Sequence, residues 1–253
     1  MERWPSGRRR TLGKRVNSNV SQVRILSSPL LNYTCYMNNA TDKIVYFIRH
    51  GQSEGNAAPV FQAPESPLSE LGKEQAKRIA KRVKKIDFEV LISSPYPRAK
   101  QTAEAITNLT GKVPVFSELF IERKKPTSVD GKSYDDVTAN NTFNSWKKSL
   151  ENPGMRVEDG ENFEEITHRA DQALDFLVSR PEKTLLVVTH GYFLKTVIAK
   201  VLLGDQFTPE TFSQFHRSTY VENTSVSALQ FGLNRGKEPM WWLWILNDHA
   251  HLG

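Results

Sequence analysis

The sequence predicts an α/β fold, a three-layer α/β/α sandwich around a mostly parallel central sheet. Two observations predict it. From Lys43 onward, short apolar runs rich in β-branched and aromatic residues alternate with amphipathic segments of helical period. Two of the apolar runs, "VYFIRHG" and "LLVVTHG", also end in the same way, in a histidine followed by a glycine. In a parallel sheet covered on both faces, ligands sit outside the carboxyl ends of the strands, where such residues would protrude.

The elements follow in order. "KIVYFI" (43–48) is a strand bounded by polar residues. "LSELGKEQAKRIAKRVKK" (68–85) is a helix with Leu71, Gln75/Ala76, Ile79 and Val83 on one face, started by Ser69. "EVLISS" (89–94) is a second strand, and "PRAKQTAEAITNLT" (97–110) is a helix closed by Gly111. "VPVF" (113–116) makes a short strand. Residues 123–160 are polar and too long for a plain connection, so they are read as a lid insertion. "ENFEEITHRADQALDFLVSR" (161–180) is the clearest helix, with Phe163, Ile166, Ala170, Ala173/Leu174 and Leu177 in register. "TLLVVT" (184–189) is a strand, "YFLKTVIAKVLLG" (192–204) a helix, and "SVSALQF" (225–231) and "MWWLWIL" (240–246) are late strands.

At 253 residues, 38% hydrophobic and 25% charged, the composition is that of an ordinary soluble chain. The longest apolar run, "MWWLWIL", is far too short to span a bilayer. One cysteine, Cys35, excludes an internal disulfide and a thiolate metal cage. The net charge of +6 has a local origin. Residues 1–36 hold seven Lys/Arg against one acid, and beyond them bases and acids are equal in number. The basic balance therefore says nothing about the domain's partners.

Residues 1–36 are Arg-, Ser- and Asn-rich without helical or strand period. A nucleic-acid arm or a mitochondrial transit peptide fits that composition in part. Poor aromatic interleaving weighs against the first, and Pro5, Gly7 and Gly13 against the second. The preferred reading is a disordered or non-native extension, with the functional chain starting at Met37 and a catalytic domain over 37–253. A cytoplasmic location is expected.

If the two His-Gly strands are neighbours, His50 and His190 protrude side by side, with Gly51 and Gly191 allowing a sharp turn and close ligand approach. Two imidazoles suit a metal, but no third ligand accompanies them. The neighbours are instead cations: Arg49 precedes His50, and Arg98 follows the second strand at the same edge. Guanidinium groups repel a metal and match phosphate oxygens. Positive surroundings keep His50 neutral and nucleophilic. Attack on phosphorus then gives a phosphohistidine, with Arg49, Arg98 and His190 stabilising the phosphoryl oxygens. The leaving alkoxide needs a proton, for which Glu122 in "LFIER" is the candidate, ahead of Glu118.

"RHGQSEGN", "LSELGKEQA", "SSPYPRAKQTAE" and "VVTHG", in this order, resemble the histidine phosphatase superfamily, the phosphoglycerate mutase-like fold, from about Lys43 to the end. "NTSVSAL" (223–229) is similar to the family's late strand. The resemblance implies His50 as the phosphorylated nucleophile and Arg49, Arg98 and His190 as the phosphate pocket. It also implies Glu122 as proton donor, Asn56 as a further phosphate contact, and neither metal nor organic cofactor. The stretch "RKKPTSVDGKSYDDVTANN" departs from the Tyr-Gly and paired-arginine pattern of the cofactor-dependent mutases.

Hydrolysis of a small phosphorylated metabolite or phosphoprotein is therefore the expected function. A phosphoglycerate mutase-type phosphoryl transfer and a non-catalytic phospho-ligand-binding domain are the alternatives. His168, His216, His249 and His251 are read as bland, the first on a helix surface and the others in loops or the tail. Trp241, Trp242 and Trp244 are expected to pack a terminal strand on a helix or to bury a homodimer contact. Nucleic acid and membrane are not expected partners. Lys124 and Lys125 face either a substrate's distal acid groups or solvent. Glu161 is assigned either to the pocket rim or to the helix start.

Overall fold

The computed structural model describes residues 43–233 and 238–253. The expectations for residues 1–36 and for a start at Met37 lie outside them. Six strands form one sheet: β1 (Lys43–Arg49), β2 (Val90–Ser93), β3 (Val115–Phe116), β4 (Thr184–Thr189), β5 (Val226–Gly232) and β6 (Met240–Asp248). Their order is β3-β2-β4-β1-β5-β6. The β3-β2, β2-β4 and β4-β1 pairs are parallel, whereas β5 and β6 join antiparallel at one side.

The helices are α1 (Glu54–Ala57), α2 (Glu70–Val83), α3 (Pro97–Thr110), α4 (Val137–Lys148), α5 (Phe163–Ser179), α6 (Gly191–Leu203) and α7 (Pro209–Ser218). Alternation along the strands builds the layers. Val45 and Phe47 of β1 join Leu185, Val187 and Leu229 under Ile166, Ala170 and Leu177 of α5 and Leu194 and Ile198 of α6. Ile44, Tyr46 and Ile48 face the other way, with Leu186 and Val188, under Ile79 and Val83 of α2 and Ala99, Ala103 and Ile106 of α3. Because both faces bury apolar side chains, the inner strands are apolar without interruption.

Local signals hold where the sequence placed them. Ser69 caps α2, its Oγ accepting from the Gly72 N–H at 3.1 Å. Gly111 ends α3 with φ +73°, and Pro97 starts it with a preset φ. Trp241 packs against the α5/α6 core and Trp244 against the α2/α3 core, so the tryptophans anchor the edge strand to both layers.

Three helices are absent from the sequence pattern: the single turn α1, and the longer α4 and α7. α4 lies inside 123–160 and is built from Thr, Asn and Val, which have no strong helical preference. Asp136 caps it, accepting from the Ala139 N–H at 3.0 Å, and Ala139 packs with Phe61 and Val129 in a small separate core. α7 starts with a Thr208 cap and Pro209 at its first turn. His216 therefore sits on a helix rather than in a loop, its ring 4.5 Å from that of Tyr192. His168 is exposed on α5, as expected.

Candidate active site

The register of the two central strands sets the site. Arg49 pairs with Thr189, so the next residues, His50 and His190, leave the sheet together. Their ring centroids are 4.9 Å apart. On the other side of β4, the Ser94 N–H bonds the Val188 carbonyl at 3.0 Å, which brings the β2 tip and the start of α3 to the same edge.

Gly51 and Gly191 do not serve as turn residues, for neither has a positive φ. They are places of close packing. A Cβ on Gly51 would lie 2.6 Å from the Gly72 carbonyl oxygen, and one on Gly191 would lie 3.1 Å from Arg49 Nε. The glycines let a helix start and an arginine press against the strand tips.

The proton positions follow from the bonds. His50 Nδ1 lies 2.7 Å from the Gly51 carbonyl oxygen, which accepts only from N–H, so the lone pair is on Nε2. Arg98 Nε donates to that Nε2 at 3.3 Å. His190 Nε2 meets Ser94 Oγ at 2.8 Å. Ser94 Oγ also accepts from the Tyr96 N–H at 3.3 Å and keeps a second lone pair, so its bond to Nε2 runs in either direction. His190 Nδ1 is a buried atom with no partner among the described residues. Arg49 Nε is a buried donor in the same condition, while Arg49 Nη1 is tied to the Val221 carbonyl at 2.6 Å. An orphaned guanidinium donor and an orphaned imidazole nitrogen beside the His50 lone pair form a site for an anion.

Both imidazoles are held well below their ordinary pKa, first by burial and then by the Arg98 guanidinium, so both are neutral. His50 is 2% exposed and His190 fully buried. Neither lines the cavity of about 420 Å³, but Tyr96, in ring contact with His190, and Arg98, bonded to His50, both do. Glu122 also lines it, whereas Glu118 does not and is exposed.

Glu122 takes its place from the irregular segment after β3. Its Oε1 accepts from the N–H groups of Arg123 and Phe193 at 3.0 and 2.9 Å, and its Oε2 from that of Tyr192 at 3.1 Å. The carboxylate thereby meets free donors in the first turn of α6. Arg169 braces the segment from below, donating to the carbonyls of Leu119 and Ile121 at 3.1 and 2.9 Å. The same guanidinium forks onto the Glu161 carboxylate at 2.7 Å on both arms. Glu161 thus organises the rim from within, and its Oε2 also accepts from the Lys124 N–H at 2.9 Å.

Asn56 lines the cavity from α1 and is exposed. Its amide donates one proton to Gln62 Oε1 at 3.3 Å and accepts from the Ser53 N–H at 3.4 Å, which leaves its second N–H for a ligand. The structure brings Arg49, His50, Arg98, His190 and Glu122 together and sets Asn56 on the wall beyond them.

Three further residues of the site, Ser94, Tyr96 and Arg123, carry no role in the sequence pattern. Ser94 and Tyr96 stand within the quoted "SSPYPRAKQTAE", and their nearness to β4 was the available signal. Arg123 follows Glu122 and is buried, stacked 3.7 Å over the Trp146 ring and donating to the Glu161 carbonyl oxygen at 2.8 Å. Burial lowers its pKa to about 10. Nothing local marks it, since its partners are 23 and 38 residues away. Among the described residues no three His, Cys, Asp or Glu side chains group to hold a metal, and no helix is long and apolar enough to cross a membrane.

The sequence pattern of the histidine phosphatase superfamily (branch 1) matches residues 45–242. A protein of Erwinia tasmaniensis named probable phosphoglycerate mutase GpmB is 32% identical over 162 residues, 62% of this chain and 74% of its own. One of the same name from Yersinia pestis is 30% identical over 212 residues, 82% of this chain and 94% of its own. Among solved structures, a mycobacterial glucosyl-3-phosphoglycerate phosphatase superposes with a TM-score of 0.66 at 20% identity, over 82% of this chain and all of the other. An Entamoeba histolytica phosphoserine phosphatase mutant bound to phosphoserine gives 0.64 at 24% identity, over 83% and 99%. These structures share the α/β/α fold described above.

Proposed function

The chain belongs to the histidine phosphatase superfamily (branch 1) and is an enzyme of it, and from that premise we propose that it hydrolyses a phosphomonoester through a phosphohistidine on His50. The observation that carries this reading is the orphaned Arg49 Nε donor and the orphaned His190 Nδ1, next to the Nε2 lone pair of a neutral His50.

In the proposed mechanism a phosphoryl group enters from the cavity and takes the donors of Arg49, Arg98 and His190 on its oxygens, with Asn56 as a further contact. A monoanionic ester passes its proton to the Glu122 carboxylate on binding; His50 Nε2 then attacks phosphorus, the bond to the ester oxygen breaks, and Glu122 gives that proton to the departing alkoxide. A water then loses a proton to Glu122 as it attacks the phosphohistidine. Inorganic phosphate leaves and His50 recovers its lone pair. The cations stabilise charge as it moves between oxygens. The scheme calls for no metal or organic cofactor. Residues 37–253 act as the catalytic domain and 123–160 as its lid. A single cysteine suits the reducing cytoplasm as the place of action.

The test is rapid quench of the enzyme with labelled phosphomonoesters. An acid-labile phosphoryl group on His50 is expected, absent in His50→Ala, whose turnover falls by at least about a thousandfold. Near wild-type turnover in that variant overturns the mechanism. The mutase names of the relatives favour a second reading, in which a second hydroxyl replaces water as acceptor. Interconversion of phosphoglycerates primed by bisphosphoglycerate, faster than phosphate release, decides for it.

A further inference from the structure

The cavity continues outward from the phosphate end into a chamber of different chemistry. Its volume of about 420 Å³ lies within the range of pockets that hold whole small molecules. Tyr134, Phe61, Phe143 and Trp146 all line it and touch in series, with centroids 4.9, 4.6 and 5.4 Å apart. Phe61 also belongs to the small core under the lid, which explains its burial. That core does not explain Tyr134, which is 48% exposed yet faces the cavity. An aromatic face left open on a cavity wall is a surface for a ligand.

The charges around it differ from those at the phosphate end. Arg123, Lys124 and Lys125 face Asp130 and Asp159, three cations against two carboxylates. Lys125 is ion-paired to Asp130, and Asp159 accepts from the Thr127 N–H at 3.0 Å. Arg123 keeps its charge but turns donors onto the carbonyls of Glu161 and Trp146 at 2.8 and 3.1 Å. The aromatic series meanwhile offers a matching wall to a flat ring.

We propose that the substrate is the phosphate ester of an alcohol bearing a planar, uncharged ring, of the nucleoside kind, whose ring lies against Tyr134 and Phe143. This rests on the phosphomonoester hydrolysis proposed above and adds the class of leaving group. A small hydroxy acid leaves the aromatic wall uncovered.

A matched pair of esters isolates the ring: adenosine 5′-monophosphate and ribose 5-phosphate present the same primary phosphate with and without it. The expected kcat/KM ratio is at least about tenfold in favour of the nucleotide, residing mainly in KM, and 3-phosphoglycerate falls below the nucleotide. Tyr134→Ala brings the nucleotide-to-ribose ratio down towards one, and Tyr134→Phe keeps it. A wild-type ratio near one, a ratio unmoved by Tyr134→Ala, or a preference for 3-phosphoglycerate overturns the inference. Turnover without ring preference sinks this inference alone. If no ester, including 4-nitrophenyl phosphate, labels or turns over, the hydrolytic reading falls and takes the inference with it.

Discussion

Asn223 Nδ2 donates to the carbonyl oxygen of His50 at 2.8 Å, tying the loop before β5 to the tip of β1. The Thr224 N–H reinforces it on the Arg49 carbonyl at 2.8 Å, with Thr224 itself at φ +60°. A β-branched residue adopts that backbone only where surrounding bonds impose it. Asn223→Ala is expected to lower kcat about tenfold with little change in KM, the loss of one positioning bond being worth roughly 1.4 kcal/mol. Steady-state kinetics checks this, and Asn223→Asp, which keeps an acceptor but loses the donor, should not rescue.

Ser94 Oγ lies 2.8 Å from His190 Nε2, and the mechanism proposed above has it donate there, which puts the ring proton on Nδ1. Ser94→Ala frees the ring to take the other tautomer, which turns an oxyanion donor into an acceptor. We expect kcat to fall by about tenfold or more, the scale of a single lost transition-state donor. Nitrogen NMR shifts of His190 should move with it. Wild-type shifts and rate would show that the hydroxyl does not set the tautomer.

Both site histidines have depressed pKa values, so the unfolded chain, protonating near 6.5, binds more protons than the folded one below that pH. Stability is therefore complete above about pH 6.5 and declines as the pH falls, by at most about 1.4 kcal/mol per unit for each ring. Urea midpoints at pH 7.5 and 5.5 measure the decline, and His190→Gln should make it shallower. Ring NMR titration should find His50 neutral at pH 6.

Gly72 and the strand tip admit no side chain between them, for a Cβ there would stand 1.9 Å from the Gln52 carbonyl oxygen. Gly72→Ala must shift backbone and is expected to cost about 1–3 kcal/mol or more. Leu71, which the apolar period groups with Ile79 and Val83, is exposed because it sits in the first turn of α2, and Leu71→Ala should stay within about 0.5 kcal/mol. Thermal unfolding of the two variants decides whether the contact is as tight as it stands.

What the sequence by itself determined were the features written in local pattern. The apolar period of "KIVYFI" and "TLLVVT", the Ser69 cap and the Gly111 stop need only neighbours to act, and each took its expected place. The repeated His-Gly ending marked two strand tips as one site, because strands of a parallel sheet end at the same edge. Tertiary structure alone decided the rest. The register of Arg49 with Thr189 set the two rings 4.9 Å apart across 140 residues of chain, and the β2–β4 pairing brought Ser94 to His190. The Arg169 fork that braces Glu122, the Arg123 stack on Trp146 and the aromatic chamber join segments with no shared local pattern. Such bonds depend on which surfaces meet after the layers pack, and a one-dimensional pattern carries period and caps but not that meeting.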